Sequence, residues 1–62
     1  MKCNILVRKG DDVFISERAS VHADSLEAAA RIVSAHQPAF LSPGEEWIAV
    51  VDEHHGRYVS LV

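Results

Sequence analysis

The chain has 62 residues, a formal net charge of −3 and one cysteine, Cys3. That size allows one domain with a thin core, and a single thiol excludes an internal disulfide and a cysteine-based zinc knuckle. No apolar run is long enough for a bilayer span or a signal-peptide core, so the expectation is a soluble cytoplasmic protein with Cys3 reduced.

Residues 2–8 alternate Cys3, Ile5 and Val7 with Lys2, Asn4, Leu6 and Arg8, which predicts a first strand. Lys9-Gly10-Asp11-Asp12 is turn chemistry, because glycine takes positive φ freely and aspartate tolerates turns. Residues 13–18 form a second strand, with room to run on through Ala19 and Val21 past a bulge. The connection is too short for a crossover, so the pair is an antiparallel hairpin.

Residues 24–36, DSLEAAARIVSAH, predict the only helix. Asp24 and Glu27 have capping-box spacing, and Ala28, Ala29 and Ala30 lose little side-chain entropy on ordering. Leu26, Ala29, Ala30 and Val33 share one stripe, with Ile32 at its edge and Glu27, Arg31 and Ser34 opposite. Pro38 is expected to stop the helix. Residues 37–46 hold both prolines and Gly44 and read as irregular, with Phe40 and Leu41 folding back onto the nearest core. Residues 47–52 predict a third strand, Glu53-His54-His55-Gly56 a tight turn, and residues 57–62 a fourth strand. The fold class is therefore α+β, a ββαββ order of two antiparallel hairpins with one helix on one face of the sheet.

One helix covers one face, and the other should be polar. Strict alternation assigns Cys3, Ile5, Val7, Val13, Ile15, Ile48, Val50, Val59 and Leu61 to the covered side. The opposite side then carries Leu6, Phe14, Trp47, Ala49, Val51, Tyr58 and Val62, mixed with Asn4, Ser16, Arg18 and Ser60. Both sides are too apolar for only one to be buried. Contiguous exposed apolar surface marks an interaction site, so Leu6, Phe14, Trp47, Val51 and Tyr58 are the expected interaction surface. The covers available are the loop of Phe40 and Leu41, a second copy of the chain, or a different protein. A homodimer is the leading expectation.

Chemistry finds little support. Asp52, Glu53, His54 and His55 are ligand types, but adjacent side chains point apart and the spacing matches no dedicated site, so the reading is a solvated turn with no metal. Cys3 could pair with His22 or His36, yet no third orienting group stands out, and Cys3 reads as a small buried hydrophobe. His36 suits the negative end of the helix. Glu45 and Glu46 look like a solvated loop rather than an acid–base couple. The isolated glycines exclude a phosphate loop. Neither an enzyme nor a cofactor is expected. Nucleic acid is disfavoured as a partner: the first hairpin carries four basic residues against three acidic, and from Asp24 on two face six. Phe14, Trp47 or Tyr58 could still stack bases or a small apolar ligand on an open sheet.

The strand, Gly-Asp turn, strand and ADSLEAAA of residues 23–30 resemble the start of HicB-type antitoxins, in which a small sheet domain neutralises a toxin ribonuclease. The resemblance covers the first half of the chain and lacks that family's Pro-Gly-Cys segment and the DNA-binding region that often follows. It implies a partner-binding domain.

Overall fold

A computed structural model describes residues 1–60, apart from the side chains of Glu17 and Arg18. The expected fourth-strand ends, Leu61 and Val62, lie outside the described residues. The chain order is β1 (Lys2–Lys9), β2 (Asp12–His22), α1 (Leu26–Ala35), α2 (Gln37–Phe40), β3 (Glu45–Asp52) and β4 (Arg57–Ser60). The strands make one antiparallel sheet in the order β2-β1-β3-β4, so the first strands of the two hairpins lie side by side at its centre. This is the expected α+β arrangement.

The helix starts one residue later than its capping pattern suggests. Ser25, not Asp24, is the N-cap: its φ is −152° and its Oγ accepts from Ala28 N–H at 3.1 Å. A hydroxyl in extended backbone just before the first turn satisfies one of four orphan donors, and this is worth about 1 kcal/mol. Leu26, Ala29 and Val33 are buried, one stripe at helical spacing, and α1 lies across β2, β3 and β4. The small Ala29 lets helix and sheet approach closely.

Pro38 does not only end a helix. It begins another, the single turn of α2, where proline's fixed φ fits and its missing N–H would lack an intrahelical acceptor anyway. Phe40 and Leu41 then pack against the core. They leave the opposite face of the sheet uncovered.

The core is Cys3, Ile5, Val7, Val21, Leu26, Ala29, Val33 and Val50, with Trp47 and Val59 packed at its edge. Two bulges decide which residues reach it. On β2, Ser20 pairs with Asn4 and Ile15 with Leu6, so residues 16–19 all stand against Ile5 alone. On β3, Ala49 pairs with Leu6 and Trp47 with Val7, leaving Ile48 without a counterpart. Each bulge shifts the alternation downstream of it.

Cross-strand partners share a face. Phe14 and Trp47, both opposite Val7, therefore lie on the helix side, which corrects their assignment to the open face. Ile15, opposite Leu6, and Val13, opposite Arg8, go to the open face instead of the covered one. Strict alternation fails here because an inserted residue reverses the phase, and composition does not mark where that happens.

Candidate association face

The open side of the sheet is built in rows across the four strands. Ser20, Asn4, Val51 and Tyr58 make one row, and Ile15, Leu6, Ala49 and Ser60 the next. Val13, Arg8 and Glu46 close one end. Continuing the β1–β3 register by two residues puts Glu53 beside Lys2 at the other end, and both line one hollow there. Of the expected interaction residues, Leu6, Val51 and Tyr58 thus share this face, and Val13, Ile15 and Ala49 join them.

Neither helix covers this surface. Val13 is 56% exposed and Tyr58 is 68% exposed. Leu6, Ile15 and Val51 are half-buried by their neighbours, and Ala49 is buried among larger side chains. The two central rows set Leu6, Ile15, Ala49, Val51 and Tyr58 among Asn4, Ser20 and Ser60, with charged residues at both ends.

The end charges are ordered. Arg8 and Glu46 form a cross-strand ion pair, both more than half exposed, so it contributes under about 1 kcal/mol. At the other end Lys2 and Glu53 are exposed, and neither is in an ion pair among the described residues. At both ends the cation stands on the β1 side and the carboxylate on the β3 side. Glu46 is thus a strand residue rather than part of a solvated loop. Glu45 also starts β3, and its Oε1 accepts from Ser42 N–H at 2.7 Å.

Beside Lys2 the sheet is hollowed. Next to the bulge of β2 lies a concavity of about 460 Å³ lined by Lys2, Asn4, Ile15, Ser16, Ala19, Ser20 and Glu53. Most of these groups are polar.

The helix side of the β3–β4 turn holds the one buried carboxylate among the described residues. Asp52 is 2% exposed. Its Oδ1 accepts from His55 N–H at 3.4 Å, its Oδ2 sits 2.7 Å from His55 Nδ1, and Arg57 donates to the same oxygen at 3.5 Å. Burial pushes this carboxyl up. The ring and amide of His55, its charge and the Arg57 guanidinium together outweigh burial and hold it below the usual carboxylate range. The turn closes with Gly56 at φ 66°, the left-handed conformation a side chain disfavours.

A histidine held by a carboxylate at Nδ1 supplies two of the three members of a catalytic triad. Cys3 is free and fully buried, and its thiol is pushed up by burial first and by the charge of Asp52 second, against a smaller opposing effect from the Met1 amine. A neutral, enclosed thiol is a weak nucleophile. The arrangement staples a turn. His54 stands edge-on to His55, with ring centroids 4.7 Å apart, and no group of three metal-ligating side chains occurs among the described residues. His22 is exposed opposite Lys2 on the edge strand, and His36 closes α1 through its backbone N–H.

Sequence reasoning missed Asp52. The available signal was an aspartate three residues before His55 and four before Gly56, the position from which a short carboxylate bonds the amide of a turn.

Comparison with known proteins returns no relative: no family model, no curated protein and no solved structure matches this chain. Among the described residues no helix is long and apolar enough to cross a membrane.

Proposed function

We propose that this chain is a small non-enzymatic protein-interaction module that works through the open face of its sheet, and that it associates with itself. One observation carries the reading. Leu6, Val13, Ile15, Ala49, Val51 and Tyr58 lie together on a face that neither α1 nor the segment of Phe40 and Leu41 covers. Water is a poor neighbour for such a surface, at roughly 25 cal/mol for each Å² of apolar area left exposed. A domain with so thin a core gains from any partner that covers it.

The segment behind the likeness to HicB-type antitoxins is accounted for by the start of α1, where Ser25 caps and Leu26 and Ala29 are buried. That likeness supplies one form of the alternative, in which a different protein takes the same face.

Val51→Lys tests the reading. It places a charge at the centre of the open face while leaving the helix side untouched. The expected result is a folded chain, judged by circular dichroism, whose light-scattering mass falls from that of two chains to that of one. A Val51→Lys chain with the mass of the unaltered protein contradicts the proposal.

A further inference from the structure

We infer that two copies pack open face to open face about a twofold axis parallel to the central strands, with Tyr58 of each copy seated in the hollow beside Ser20 of the other. This rests on the self-association proposed above and adds its geometry. Two in-plane twofold axes would bring the faces together, and charge and shape choose between them.

An axis along the strands keeps each row opposite itself and exchanges the columns: β1 faces β3 of the other copy, and β2 faces β4. Lys2 then meets Glu53, and Arg8 meets Glu46, twice each across the interface. An axis across the strands keeps the columns and reverses the rows. It sets Lys2 against Arg8 and Glu53 against Glu46, four like-charge contacts that disfavour the arrangement.

Shape agrees with charge. Along the strand-parallel axis three of the four stacked pairs set a large residue of one copy on a small one of the other, and the fourth sets Val51 on Asn4. Leu6 lies over Ala49, Ile15 over Ser60, and Tyr58 over Ser20. Tyr58 is the most protruding apolar side chain of the face at 68% exposed, and its opposite position is the hollow lined by Asn4, Ser16 and Ser20. The polar lining suits a phenol, whose ring buries apolar area while its hydroxyl keeps a hydrogen-bond partner. Stacked sheets cross at about 30°, which shifts the charged ends by only a few ångströms, within reach of lysine and glutamate side chains.

The footprint is small. Four strands about 4.8 Å apart and four rows give roughly 400 Å² on each copy, or about 800 Å² in all. Stable interfaces start near 1,200 Å², so the dimer is expected to be reversible, with a dissociation constant in the micromolar range.

Charge reversal at the unpaired end is the test, because Lys2 and Glu53 are exposed and their replacement leaves the core intact. Lys2→Glu alone sets two carboxylates against each other across the interface, and Glu53→Lys alone sets two ammonium groups against each other. Each variant is expected to dimerise at least about tenfold more weakly than the unaltered chain. Mixed together, they restore opposite charges at this end, and native mass spectrometry of the mixture is expected to show the mixed dimer well above about twice either homodimer, the proportion that random pairing gives. Tyr58→Ala, with its fold checked by circular dichroism, is expected to weaken association by a similar factor. If the unaltered chain dimerises but single reversals leave it unchanged or tighten it, and the mixture shows no preference, this geometry is overturned while self-association stands. If the unaltered chain is monomeric at high micromolar concentration, both are overturned.

Discussion

The buried carboxylate of Asp52 lies 2.7 Å from Nδ1 of His55, three residues further along the same turn. This contact joins the last residue of β3 to the loop that starts β4, and so fixes where the second hairpin reverses. Its chemistry gives a pH dependence of known sign. The folded carboxyl titrates below its ordinary value, so the unfolded chain binds the proton more readily. The stability this supplies is fully present above the ordinary carboxylate range, near pH 4, and is lost as pH falls through the lowered value. Asp52→Asn is expected to unfold at a lower temperature at neutral pH by several degrees, and to lose much of the acid dependence of that midpoint below about pH 4. Thermal melts of both chains from pH 7 to pH 2 check this. Parallel curves contradict it.

The two sides of β1 should respond differently to truncation. Ile5 is fully buried under α1, and Ile5→Ala is expected to cost roughly 2–5 kcal/mol, a large share of the stability of so small a domain. Leu6 is on the open face, so Leu6→Ala is expected to cost less in the single chain but to weaken association. Urea unfolding followed at low protein concentration separates the two effects. Equal losses for both variants contradict the division of faces.

Trp47 is on the helix side, opposite Val7, and its indole Nε1 is buried without a hydrogen-bond partner among the described residues. An unpaired buried donor carries a desolvation cost of about 1–3 kcal/mol, which removing the N–H relieves. Trp47→Phe is therefore expected to keep stability within about 1 kcal/mol of the unaltered chain, since the two effects oppose. Trp47 emission should also stay constant on dilution, because dissociation at the open face does not expose it. A red shift on dilution, without loss of helical signal, contradicts that placement.

Ser25 is expected to act as the cap of α1. Ser25→Ala should cost about 1 kcal/mol, and Asp24→Ala distinctly less, in thermal or chemical unfolding. The reverse order restores Asp24 as the cap.

These residues also show what a reading of the sequence reaches. The order of the four strands and of α1, the positive-φ turns at Gly10 and Gly56 and the stripe of Leu26, Ala29 and Val33 follow from local rules, because periodicity and turn chemistry act over a few residues, whereas the single turn of α2 lay in a segment that reads as irregular. Leu6, Val51 and Tyr58 were legible as sharing the face away from the helix for the same reason. Phe14 and Trp47 were not, since their side depends on how many residues of β2 and β3 stand against β1. That is a property of pairing between distant segments. The buried Asp52 was illegible for a related cause: carboxylates are rarely buried unless paired, and its partners become visible only once the turn is closed. The apolar excess survived the reassignment, because Val13 and Ile15 moved to the open face as Phe14 and Trp47 left it.

The central claim is that this open face is covered by a second copy in solution. Sedimentation equilibrium across the micromolar range tests it most directly. The account predicts a weight-average mass that rises with concentration from one chain towards two, and stays at one chain for Val51→Lys. A mass of one chain for the unaltered protein at every concentration would contradict it.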